Sequence, residues 1–201
     1  MPDDLAEKLK AVAEEPVVRE RLSLPPGKDF WVFGYGSLMW HPGFPHVEVR
    51  LARLHGYHRR FCVYSHRYRG TPEIPGLVLG LDRGGSCRGL AFRVPAVEGE
   101  EVLDYLYERE MITGVYRPLW LNVETDHGSV SAAGFVVDRD HVQYTGRLTL
   151  EQTAELIVQG QGARGACAEY LANTVRHLEG LGLGAGSLKR LLRLVEQRCP
   201  E

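Results

Sequence analysis

The chain has 201 residues, 44% of them hydrophobic and 25% charged, with a formal net charge of −2. That size suits one well-buried domain with room for a small appendage, and the near-neutral charge argues against a nucleic-acid or membrane binder. No apolar run reaches the roughly 18 residues of a membrane helix, and the opening MPDDLAEKLK carries acids where a signal peptide needs bases, so a cytoplasmic protein with no membrane partner is expected.

Residues 4–22 place Leu5, Leu9, Val12, Val17 and Leu22 among alternating charges, which predicts an amphipathic helix. Pro25-Pro26-Gly27 ends it, so residues 1–28 are expected to form an N-terminal helical extension and linker ahead of a domain over 29–201. From 29 to about 94 the texture is that of strands: FWVFGYG, VEVRLARLHGYHRRFCVYS, GLVLGLD and SCRGLAFRV, separated by Gly/Pro clusters such as GTPEIPG. Residues 97–112 are a predicted helix, with Val102, Leu103, Leu106 and Ile112 at helical spacing. Strands return in YRPLWLNVET and GSVSAAGFVVD, joined by a turn at Asp126-His127-Gly128. Helices over 149–159, 166–181 and 186–198 close the chain, punctuated by Gly160, Gly162 and Gly165 and then by GLGLGAG. Strands in the middle, one inserted helix and helices gathered at the end give an α+β order rather than βαβ alternation. The expected architecture is a small β-barrel flanked by helices.

The cysteines (Cys62, Cys87, Cys167 and Cys199) are far apart and form no C-x-x-C pair, which points to free thiols rather than a zinc ribbon or a disulfide framework. His41 and His46 flank PGFP, and no H-x-x-x-H sits on a predicted helix, so no metal site is expected. No G-x-S-x-G elbow is present, which argues against a serine hydrolase.

Three segments are candidates for chemistry. The first is Gly34-Tyr35-Gly36-Ser37-Leu38, where glycines interrupt a strand-like aromatic run. It lacks the spacing of a phosphate cradle. A glycine bulge and an anion- or carbonyl-binding nest with a serine hydroxyl both remain open on these residues alone. The second is residues 50–69, with six arginines, no acid, and interleaved Tyr57, Phe61, Tyr64 and Tyr68. This pattern fits an RNA-binding platform, a ribbon with solvent-facing arginines, or one or two arginines that hold a substrate carboxylate. The third is Glu108 and Glu110. Continuing the apolar face through 103, 106 and 107 places 110 inward and leaves 108 and 109 facing solvent. A glutamate on an apolar face is costly unless paired or functional, so Glu110 is either a satisfied buried acid or a general base.

Several segments in order resemble the ChaC-like γ-glutamylcyclotransferases: VFGYGSLMW, RRFCVYSHRYRGTPEIPG, GLAFRV, YLYERE followed by GVY, YTG at 144–146, and GQGARGACAEYL at 160–171. The resemblance runs from Trp31 to about Leu178. It implies a small mixed β-barrel flanked by helices, with a site in which Tyr35, Gly36, Ser37 and Leu38 hold a γ-glutamyl moiety. It also implies that Glu110 is the general acid/base and that Tyr144 lies near the same pocket. The activity implied is cleavage of glutathione, or of a related γ-glutamyl peptide or amine, to 5-oxoproline and a free amine such as cysteinylglycine. No cofactor, metal or nucleic-acid partner is implied. Two departures stand out: residues 1–28 precede the usual start, and Gly114-Val115-Tyr116 stands where many relatives read Gly-Gly-Tyr.

Overall fold

The structure, a computed structural model, describes residues 3–14 and 21–199. Five strands form a closed mixed barrel in the order β1 (Phe30–Gly34), β3 (Gly76–Val94), β2 (Glu48–Ser65), β4 (Tyr116–Thr125) and β5 (Gly128–Val137). Strand β1 runs antiparallel to β3 and parallel to β5, while β4 and β5 form a hairpin in register from Tyr116↔Val137 to Thr125↔Gly128. Closure leaves the sheet without the unpaired edge that an open sheet exposes. Helices α1 (Asp3–Glu14), α2 (Gly99–Glu110), α3 (Leu150–Gln159), α4 (Cys167–Gly180) and α5 (Gly186–Glu196) accompany it, so the α+β expectation holds.

Several boundaries differ from the sequence reading. Of the predicted helix over 4–22, the described part is α1 with Leu9 fully buried; Val17 lies outside the described residues, and Leu22 is not helical. GLVLGLD and SCRGLAFRV are one strand, not two. Gly84 and Gly85 adopt φ of +101° and +68°, which only glycine accepts readily, and the ladder continues through them without a turn. Ile112 lies beyond the end of α2.

The chain divides into two compact units. One comprises residues 1–15, 60–80 and 139–201, with Leu9, Leu77, Ile157, Leu171 and Leu178 fully buried. In it Thr149 caps α3 through a capping box with Gln152. The glycines of 160–165 do more than punctuate a junction. They form a two-stranded hairpin of β6 (Gln161–Gly162) and β7 (Gly165–Ala166), which lies against 67–70 through Ala163 N–H to Arg67 O at 3.2 Å and Arg164 N–H to Tyr68 O at 2.9 Å. A Cβ on Gly162 would stand 2.5 Å from both the Gly70 nitrogen and the Tyr68 carbonyl carbon, so the two glycine-rich motifs are matched surfaces.

The other unit comprises residues 16–59 and 81–138, with Val32, Phe33, Leu81, Leu103, Leu106 and Phe135 fully buried or nearly so. It contains β1, α2, β4 and β5. Among the described residues no helix is long and apolar enough to cross a membrane.

Candidate active site

Strand β1 ends at Gly34, and after Tyr35 and Gly36 the chain turns through a single 3-10 turn over Ser37–Met39. Close packing demands the small residues around this exit. A Cβ on Gly89 would meet the Gly34 carbonyl oxygen at 2.3 Å, and one on Gly34 would press on the Leu38 side chain at 3.2 Å. Tyr35, Leu38 and Met39 are buried, whereas Ser37 is less so, which anchors the turn and leaves the hydroxyl on its outer side. Met39 N–H to Gly36 O at 2.9 Å and His41 N–H to Ser37 O at 2.8 Å close the turn. The amides of Ser37 and Leu38 open it and have no acceptor inside it, as at any such start. Arg59 braces the loop from behind, donating through Nε to Tyr35 O and through Nη2 to Arg88 O at 2.7 Å.

Helix α2 opens with Glu100 and Glu101 and carries Arg109 in its last turn, so its charges complement the helix dipole. Val102, Leu103 and Leu106 form its buried face, and Glu108 is exposed. The Glu110 side chain is 18% exposed, as the extrapolated face requires. Arg109 does not follow that extrapolation. Its side chain is only 16% exposed and folds back towards residues 37–42.

The Arg109 guanidinium is shared among several acceptors. Nη2 donates to Ser37 Oγ at 2.8 Å, and Nε faces Glu110 Oε1 at 3.2 Å. Nη1 donates to His41 O at 2.7 Å, Pro42 O at 3.3 Å and the Tyr105 hydroxyl at 2.8 Å. Tyr35, Gly36, Ser37, Leu38 and Glu110 belong to one unit, in which this side chain joins Ser37 to Glu110. The pattern reading did not single out Arg109 or Arg59. A usable signal was present in the Tyr105–Arg109 spacing, which puts a hydroxyl and a guanidinium on one helical face.

Tyr144 belongs to the other unit. It forms an isolated bridge with Val63, and the Arg139 guanidinium carbon lies 6.0 Å from its ring centroid. The preceding residue stitches this segment to β2: Tyr64 N–H donates to Gln143 O, and Gln143 Nε2 donates to Tyr64 O, each at 2.8 Å. Gln143 Nε2 also lies 3.4 Å from Nδ1 of buried His66. Burial, with smaller contributions from Arg67 and His141, holds the His66 pKa below its ordinary value.

The arginines of 50–69 are largely committed to internal partners. Arg50 pairs with Glu48 at 2.5 Å and stacks on Trp31, Arg60 donates to Gly146 O at 2.6 Å, and Arg69 donates to Ala166 O at 3.0 Å. With Arg59 spent on Tyr35 O and Arg88 O, only Arg53 and Arg67 of this set are exposed. An RNA platform is not favoured by this distribution, because such a platform needs the cations on its outer face. Among the described residues no three His, Cys, Asp or Glu side chains are grouped to hold a metal ion.

The family model described as ChaC-like protein matches residues 30–198. The chain is 38% identical over 172 residues to the glutathione-specific γ-glutamylcyclotransferase of Escherichia coli (strain K12), covering 85% of this chain and 74% of that protein. It is 34% identical over 146 residues to glutathione-specific γ-glutamylcyclotransferase 1 of Danio rerio, covering 70% of this chain and 74% of the relative. In fold it is similar to the crystal structure of a yeast γ-glutamylcyclotransferase specific to glutathione, with a TM-score of 0.78, 23% identity, and coverage of 86% of this chain and 97% of that one. A family model spanning the barrel and the C-terminal helices and a relative at 38% identity lead to one conclusion: the chain belongs to the ChaC-like family.

Proposed function

We propose that this chain is a γ-glutamylcyclotransferase that degrades glutathione to 5-oxoproline and cysteinylglycine; the names of its relatives, glutathione-specific γ-glutamylcyclotransferases, support the reaction type and the substrate. The observation that carries the reading is the shared guanidinium: Ser37 of the Tyr35–Leu38 loop and Glu110 of α2 both contact Arg109, at 2.8 and 3.2 Å. A substrate-holding loop and a proton-transfer group thus meet at one point.

The substrate's own α-amine attacks the γ-amide carbonyl carbon, a five-membered ring closes, and the bond to the cysteinyl nitrogen breaks. No enzyme nucleophile enters, and the reaction is redox-neutral. Tethering the amine to its target supplies up to roughly 7–11 kcal/mol once the bent conformer is held. Glu110 takes the proton released by the attacking amine and returns it to the leaving nitrogen, a double role open to one carboxylate. The Ser37 and Leu38 amides face the carbonyl oxygen as it gains charge, and the Ser37 hydroxyl helps to hold the γ-glutamyl group. Tyr35 and Gly36 complete the substrate contacts within this unit. The activity is assigned to residues 29–201, with 1–28 as an extension. The working setting is the cytoplasm, where thiols stay reduced.

Incubation with glutathione and with N-acetylglutathione tests this reading. The free-amine substrate is expected to yield 5-oxoproline by mass, and the blocked one nothing. Cleavage of the blocked substrate, or free glutamate as the first acyl product, would point to a hydrolase.

A further inference from the structure

We propose that Arg109 is a positioning residue that fixes the direction of the Ser37 hydrogen bond. It takes the serine oxygen as its acceptor and so commits the Ser37 proton to an acceptor oxygen of the substrate. The inference rests on the cyclotransferase reading and adds to it which way Ser37 donates.

The argument starts from donor inventory. A guanidinium has five N–H donors and no acceptor, so Ser37 can only accept from it. With Nη2 at 2.8 Å occupying one lone pair, the hydroxyl proton turns away from Arg109. Ser37 therefore meets a γ-glutamyl substrate as a donor. Its partner is the γ-carbonyl oxygen or the α-carboxylate, not the α-amine, whose lone pair must stay available for attack.

Arg109 itself is not the group that grips the substrate. Each of its three nitrogens already faces a protein acceptor: Nη1 at His41 O, Pro42 O and the Tyr105 hydroxyl, Nη2 at Ser37, and Nε at Glu110 Oε1. It acts through its neighbours. One rigid plane sets the spacing between the serine oxygen and the glutamate carboxylate, and the two backbone carbonyls and the tyrosine set the plane. Lysine cannot reproduce this, because a compact ammonium lacks the planar fork.

The test is a double-mutant cycle in glutathione turnover, with Ser37→Ala, Arg109→Gln, the double variant and Arg109→Lys. A displacement of about 1 Å at a reacting group costs on the order of 10²-fold, so Arg109→Gln is expected to lose about that in kcat/KM, mostly in kcat, with its thermal midpoint near wild type. Arg109→Lys should recover little of it. Ser37→Ala is expected to cost on the order of tenfold alone, appearing in kcat if the carbonyl is its partner and in KM if the carboxylate is. That cost should largely vanish in the Arg109→Gln background, because members of one hydrogen-bond network are not additive. Full additivity, or wild-type rates in Arg109→Lys, overturns the inference.

A second measurement is independent of turnover. In ¹⁵N NMR the Arg109 Nε–H is expected to exchange slowly with solvent and to shift in both Ser37→Ala and Glu110→Gln. A freely exchanging guanidinium overturns the inference whatever the activity. An inactive wild-type chain that keeps the protected, responsive signal overturns the cyclotransferase reading alone and leaves the clamp standing. If Arg109→Gln fails to fold, Ser37→Ala and the NMR signal still decide.

Discussion

The Cys167 thiol occupies the place of a neighbouring strand beside Leu77, donating to the Leu77 carbonyl at 2.9 Å and accepting from its amide at 3.3 Å. A side chain thereby satisfies both polar groups of a buried residue, which would otherwise cost about 1–3 kcal/mol each. Burial pushes this thiol's pKa up to about 11, and burial raises that of Cys87 as well.

Thiol titration should follow that division. Cys199 is exposed, while Cys62, Cys87 and Cys167 are buried. Because the thiolate is the reactive form, a disulfide reagent at pH 8 should modify one thiol quickly in the native protein and the remaining three only after denaturation. More than one fast thiol in the folded chain would contradict this burial pattern.

Glu110→Gln keeps the shape of the side chain and removes its ability to take a proton. Loss of a general base costs typically 10²–10⁴-fold, so kcat for glutathione should fall within that range. Glu108→Gln, on the exposed face, serves as the control and should stay close to wild type. Retention of more than about a tenth of the wild-type kcat by Glu110→Gln is incompatible with the assigned role.

Leu9 is fully buried although it lies in the N-terminal extension, and neighbouring Lys10 pairs with Glu73 at 2.9 Å. Leu9→Ala should therefore lower stability by about 2–5 kcal/mol, as for other buried leucines, while Lys10→Ala should leave it close to wild type because its ion pair is exposed and screened. Urea denaturation of both variants gives the comparison. A neutral Leu9→Ala would mean that α1 adds nothing to the fold.

The lowered His66 pKa makes a pH forecast with a definite sign. The unfolded chain holds this proton at about its ordinary value of 6.5, and the folded chain holds it more weakly. The stabilisation is complete above 6.5 and is lost as pH falls from there towards the folded pKa, with a slope of up to about 1.4 kcal/mol per pH unit for one proton. Wild type and His66→Asn should be unfolded in urea at several pH values between 7.5 and 5. The variant is expected to lose less stability over that interval, and identical slopes would remove His66 as the cause.

Much of the architecture was legible before any coordinates. The strand texture of YRPLWLNVET and GSVSAAGFVVD and the Asp126-His127-Gly128 turn between them marked a strand pair, and the spacing of Leu103 and Leu106 turned Glu110 inward and Glu108 outward. Such readings work because the Cβ direction relative to a local axis follows from periods of 2 and 3.6. The continuity of β3 was not legible, because Gly84-Gly85 has the composition of a turn and only the ladder on either side holds it in a strand. The purpose of the glycines in 68–76 and 160–165 was equally hidden, since each motif is the other's packing surface across about ninety residues of chain.

The sequence by itself determined the α+β order, the inward face of α2 and the resemblance that marks Tyr35–Leu38 and Glu110. The tertiary structure alone decided where Arg109 goes. Helical periodicity sends its Cβ outward, but a long side chain at a helix end follows the acceptors within reach. Those acceptors, Ser37, His41 and Pro42, come from a loop about seventy residues earlier. No local pattern contains them, and folding brings them to the end of α2 because β1 delivers its loop there.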